Sequence, residues 1–167
     1  GQFPPRFAPN LMNHYGYPVF NFNYPLANIF SLPFSFIKTN PENTFKILSV
    51  ISFIVGLLGI YKLLRIQRKS LFTIVIGMTL FGIQPYLVNV VLYRGSIGEL
   101  LALSVLPWVF WTIHYLKENP KLSFFSVAIW TAFFLSHNVT VLIAVPVIAA
   151  YAVMNMEGVK NWKRLII

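Results

Sequence analysis

The sequence predicts an all-α, polytopic membrane protein: about five transmembrane helices preceded by an ordered outer loop rich in aromatics and proline. Three observations carry this prediction. Of 167 residues, 57% are apolar and 10% are charged, whereas soluble domains carry about 25% charged residues. Uncharged stretches recur at the length a membrane helix needs, about 20 residues. The charges sit in short clusters between those stretches rather than on one stripe of each helix.

Residues 1–45 stand apart as an extracytoplasmic loop. They hold 7 of the 11 prolines, 8 of the 16 phenylalanines, three tyrosines and seven asparagines. Flexible low-complexity linkers are not this aromatic, so an ordered loop is expected. Its stretch from Asn28 to Ile37 is apolar but about ten residues long, which suits an interfacial or re-entrant segment better than a span.

Residues 46–167 form the transmembrane region. The first span runs at about 45–64, if Lys46 and Lys62 snorkel at its ends. The second, at about 71–93, contains Pro85. The third, at about 99–115, contains Pro107. Leu122 to Met156 is then a single uncharged run of 35 residues. As one helix it would be about 50 Å long, against a hydrocarbon core of about 30 Å. It must break, and its one central polar cluster is Ser136-His137-Asn138. Spans at about 122–136 and 139–156 follow, with Ser136 or Asn138 placed to cap the second of them.

The 13 lysines and arginines face 4 acids, none of them Asp. Such a balance can serve nucleic acid, but cations confined to loops between spans indicate membrane topology, and no nucleic-acid partner is expected. Nine cations fall in one set of loops and four, Arg6, Lys38, Lys46 and Arg94, in the other. By the positive-inside rule the first set is cytoplasmic. Residues 1–45, 94–99 and 136–138 then face outward in a multi-pass protein of the cell membrane. The absence of cysteine excludes disulfides, thiolate metal sites and a Cys nucleophile. P-loop, GxGxxG, HExxH and GxSxG patterns are absent. The chain opens without Met and ends after a basic cluster, and so reads as an internal piece of a larger protein.

The outward side collects the polar groups that topology leaves unexplained. Arg94 and Glu99 bracket RGSIGE. They form either a loop ion pair, with Glu99 favoured near a helix N-terminus, or an anion-binding cation beside a carboxylate that orients a hydroxyl or a metal. His137 and Asn138 form either a simple turn or the wall of a polar cavity, since His is costly at membrane depth. Asn138-Val139-Thr140 matches the glycosylation sequon by chance. In HYGYPVFNFNYPL, His14, Tyr17, Asn21 and Tyr24 offer rings and amides that suit sugar faces and hydroxyls, or simply a packed loop. Arg6, between stiff prolines, is placed for a phosphate or a lipid headgroup. His114 reads as an interfacial residue, and Trp108, Trp111 and Trp130 as packing or lipid contacts.

The segments GQFPPRFAPNLMNHYGYPVFNFNYPL, PYLVNVVLYRGSIGELLALSVLPWVF and FFLSHNVTVLIAVPVIAAY together resemble prokaryotic membrane proteins of the GT-C glycosyltransferase superfamily. Within it, the resemblance is to the group labelled 6-pyruvoyl-tetrahydropterin synthase-related membrane proteins. It covers nearly the whole chain in order. It implies transfer of a sugar from a polyprenyl-phosphate donor to an acceptor, not identified by the sequence, at the outer face. It implies a catalytic Asp in the first outer loop. The chain has none, which places that residue upstream of Gly1. By position Glu99 matches the family's acidic residue on the acceptor or metal side, with Arg94 and His137 as candidates for the donor phosphate. A divalent cation is an optional partner in such proteins, although a single acid builds no metal site here. The rival readings are a polytopic transporter or flippase, and a non-catalytic membrane scaffold of GT-C-like fold.

Overall fold

The computed structural model describes residues 9, 10, 12–16, 24–119 and 123–156, and among them the regular elements are all helical. Tyr24 precedes α1, Pro25–Phe36. Pro25 starts the helix where a missing N–H costs nothing. This helix covers the stretch expected to be interfacial, and at 12 residues it is about 18 Å long. It is held by its first turn. Leu26 and Ala27 are buried with Leu101 and pack against Ile97, Ala132 and Leu135. Its later residues Ile29, Phe30, Leu32 and Phe36 are exposed.

α2 spans Pro41–Ile66. It starts ahead of the expected limit at residue 45, because Asn40 accepts from the Glu42 backbone N–H at 3.0 Å and Pro41 again opens the helix. The buried face of α2 is mostly small or polar: Thr44, Leu48, Ser49, Ser52, Gly56 and Gly59. Its exposed face is large and apolar: Ile47, Val50, Ile51, Ile54 and Leu58. Small residues let helix backbones approach closely. A Cβ added at Gly59 would lie 2.8 Å from Trp108 and 3.0 Å from Pro107. Trp108 also donates its indole N–H to the Val55 carbonyl at 2.9 Å. It is thus a packing residue, bonded across the α2 contact.

α3, Leu71–Ile83, opens on Ser70, whose hydroxyl accepts from the Thr73 N–H. The span expected over 71–93 is broken. Gln84 sits at φ −58°, ψ 130°, since the ring of Pro85 forces the residue before it out of the α region. A short helix α4, Pro85–Asn89, follows, then a π-helical turn over Val90–Arg94. Gly95 ends it at φ 57°, a left-handed conformation that glycine adopts without strain.

α5, Ile97–Glu118, is the central helix. Within its most apolar stretch 56% of the residues are buried, against 11% over Leu71–Arg94. It packs most extensively on α2, and also on α6, Phe124–Ser136, and α7, Asn138–Met156. Val109, Ile113, Ile129, Phe133, Ala144 and Ile148 form the core between α5, α6 and α7.

Among the described residues four helices are long and apolar enough to cross a membrane: Pro41–Ile66, Leu71–Arg94 taken through its break, Ile97–Glu118 and Asn138–Asn155. The expected fifth, α6, has 13 residues, about 20 Å. It still carries the chain from one end of α5 to the other. Ser136 at its end lies against Gly98, while Lys117 donates to the Asn155 carbonyl at the far end of α7, 3.1 Å away. α2, α5 and α7 therefore run parallel.

Candidate functional site

The site lies where α5 begins. Glu99 is in its first turn, where the helix dipole favours an acid, and is 2% exposed. Tyr86 of α4 donates its hydroxyl to Glu99 Oε1. Arg94 Nη1 donates to the same oxygen at 3.0 Å. The same nitrogen is 3.0 Å from Oε2, but its N–H is not aligned on that atom. Oε2 is buried and has no hydrogen-bond donor among the described residues.

The break and the π-turn explain how two donors reach one oxygen. Tyr86 and Arg94 are eight residues apart. At about 100° per residue, a regular α-helix would set them about 80° out of line. A π-turn takes in one extra residue and removes most of that offset. The left-handed Gly95 then folds the chain back into α5, so Glu99 returns under both side chains.

His137 comes from the link between α6 and α7 and is buried. Its Nδ1 accepts from the Thr140 backbone N–H at 3.2 Å and lies 2.8 Å from the Thr140 hydroxyl. Its carbonyl accepts from Val141 at 3.0 Å. The cap of α7 is therefore His137, not Ser136 or Asn138. The hydroxyl of Ser136 turns back to the Phe133 carbonyl. An accepting Nδ1 leaves the ring proton on Nε2. Burial pushes the His137 imidazole below its ordinary pKa; the nearby Glu99 works against this and Arg94 adds to it.

Tyr24 closes the group. Its ring lies 4.4 Å from that of His137, centroid to centroid. Gly98 permits the approach, since a Cβ there would come within 2.5 Å of the Tyr24 ring and 2.8 Å of the Ser136 carbonyl. Of the residues singled out in the sequence, Tyr24, Arg94, Glu99 and His137 thus gather around the start of α5. Asn138 opens α7 beside them with an exposed side chain. His14 is exposed in a left-handed turn at φ 70°, and no hydrogen bond among the described residues ties it to Glu99 or His137. Arg6, Tyr17 and Asn21 lie outside the described residues.

Sequence reasoning missed Tyr86 and Gly98. Pro85 marks the break just before Tyr86, but nothing local marks the π-turn that aims the phenol. It also missed a second polar group at the opposite end of the bundle. There Tyr151 Oη lies 2.6 Å from His114 Nε2, and Gln67 Nε2 donates to Tyr151 Oη at 2.7 Å and lies 3.2 Å from His114. His114, read as interfacial, helps to join α2, α5 and α7. Among the described residues no three His, Cys, Asp or Glu side chains are grouped to hold a metal ion. The chain matches no protein-family model, no curated protein and no solved structure.

Proposed function

We propose that this chain is the membrane-embedded part of a GT-C-like glycosyltransferase that binds a polyprenyl-phosphate-linked sugar at the Glu99 end, on the outer face of the cell membrane. The observation that carries the reading is Glu99 Oε2, a buried oxygen that is ion-paired to Arg94 at 3.0 Å but accepts no hydrogen bond among the described residues, beside an Arg94 whose side chain is 51% exposed. A buried acceptor left unmade costs about 1–3 kcal/mol, and a ligand hydroxyl would recover it. Arg94 has five N–H donors; it engages Glu99 through one nitrogen and also meets the Tyr86 hydroxyl, and with its side chain 51% exposed its remaining donors can meet a phosphate. His137 Nε2–H and the Tyr24 ring complete a surface that suits a sugar. Four long apolar helices support the membrane setting, and the loop charges support the orientation.

The role proposed for Glu99 is to hold an acceptor or sugar hydroxyl. A catalytic Asp is not among these residues, because the chain contains none. The donor set does not fit a divalent cation: one carboxylate, already engaged through Oε1 by a phenol and a guanidinium, offers too few oxygens. No step is assigned to a metal. Glu99→Gln in the full-length protein is expected to lower sugar transfer roughly 100-fold, the scale of one lost stabilising contact in a buried site, with the membrane level of protein unchanged. Wild-type transfer by that variant removes Glu99 from the site.

One feature favours the transporter or flippase reading. Broken membrane helices line the substrate paths of many transporters, and Leu71–Arg94 is broken at Gln84. Substrate uptake or lipid scrambling by proteoliposomes that lack transferase activity would select it. Absence of both activities would leave the scaffold.

A further inference from the structure

At the end opposite Glu99, Lys62, Arg65, Arg68 and Lys69 place four cations within eight residues. All four side chains are exposed. The sequence has no acid between Glu42 and Glu99, and the two ion pairs among the described residues use none of these four. The Gln67–His114–Tyr151 bonds bring the ends of α5 and α7 beside them, adding the exposed cation Lys117 and the exposed acid Glu118. Glu157, the other acid at this end by sequence, lies outside the described residues. The balance remains strongly positive.

Two further observations narrow the partner. Arg68 ends α2 at φ 58°, with its N–H bonded to the Arg65 carbonyl at 2.9 Å and that of Lys69 to Leu64 at 3.0 Å. Helix ends of this shape favour glycine in the left-handed position, yet here a charged side chain occupies it at a backbone cost. Immediately after the cations, Leu71 and Phe72 open α3 at 73% and 75% exposure. The patch thus offers cations to an anion and, directly after them, apolar side chains to a hydrocarbon chain. Free phosphate would use only the first of these.

We infer that the α2–α3 turn is a docking site for an anionic phospholipid, whose headgroup phosphate is held by Arg65, Arg68 and Lys69 and whose acyl chains lie on Leu71 and Phe72. The inference rests on the membrane setting proposed above and not on sugar transfer. The site is separate from Glu99, so each can fail alone.

The test is thermal unfolding of the full-length protein in a neutral detergent, where orientation in a bilayer plays no part. Added phosphatidylglycerol is expected to raise Tm by roughly 5–10 °C, the scale of three interfacial cations contributing about 2–4 °C each. Phosphatidylcholine and inorganic phosphate are expected not to. Arg68→Gly relaxes the left-handed residue, so its Tm without lipid should stay level or rise while its response to phosphatidylglycerol shrinks. Adding Arg65→Gln and Lys69→Gln should abolish the response. Lys38→Gly is the matched control: Lys38 also sits left-handed, at φ 54°, between α1 and α2, and its loss should leave the response whole. An equal rise with phosphatidylcholine, an equal rise with inorganic phosphate, or a full response in the triple variant would each overturn the inference.

Discussion

The two ends of the helix bundle solve the same problem differently. At the Gln67 end, three neutral side chains from three regions bond to one another, and the charged residues around them stay exposed. At the Glu99 end, a charged group is buried and held by an arginine that is half in the open. The first network satisfies itself. Gln67 donates to Tyr151, the Tyr151 hydroxyl can donate to His114, and among the described residues none of the three has a buried side-chain atom left without a partner. The second leaves Glu99 Oε2 without a hydrogen-bond donor among the described residues. A closed polar network is a fastening; an open one has room for a ligand. That contrast places the candidate site at Glu99, although both ends contain a histidine and a tyrosine.

The largest effect should come from breaking the open end. Arg94→Ala leaves the Glu99 carboxylate buried with Tyr86 alone. Removing one partner of a buried pair costs about 3–5 kcal/mol; the half-exposure of Arg94 reduces this, to about 2 kcal/mol. Denaturant unfolding in detergent would measure it. A loss near zero would mean that the pair is a surface contact and the contrast between the ends is false.

His137 sharpens the comparison by separating structure from chemistry. His137→Ala removes the cap of α7 and should cost about 1 kcal/mol. His137→Asn restores a capping acceptor but not an Nε2–H donor, so it should recover stability without recovering ligand binding. The pH dependence has a definite sign. Burial lowers the folded-state pKa of His137, so the folded protein favours the neutral ring. Its contribution is intact above the ordinary value of about 6.5 and is lost as pH falls below that value. Unfolding curves of wild type and His137→Asn should therefore draw apart between neutral pH and about pH 5. Parallel curves would show that His137 is not proton-linked to folding.

The smallest effect is expected at the closed end. Tyr151→Phe removes a hydroxyl bonded to Gln67 and His114 and should cost about 0.5 kcal/mol while leaving the proposed sugar transfer unchanged. A loss of transfer would give the closed end a functional part and erase the distinction.

The sequence alone determined the helical class and the presence of long apolar helices, because the length of an uncharged run is a local property. It marked the break at Ser136-His137-Asn138, where polar residues interrupt 35 uncharged ones. It also set Arg94 beside Glu99, five residues apart with Gly95 and Gly98 between them, and offered an ion pair as one of two readings. Tertiary structure decided the rest. Whether His137 or its neighbours capped α7 depended on which side chain turned toward Thr140. The 13-residue length of α6 depended on the chain beginning that helix at Phe124. That Tyr24 meets His137 across a glycine, and that Tyr86 and Arg94 share one oxygen, follow from helix packing and from a single π-turn. An offset of one residue rotates every later side chain by about 100°, and no composition or spacing rule records where such an offset falls.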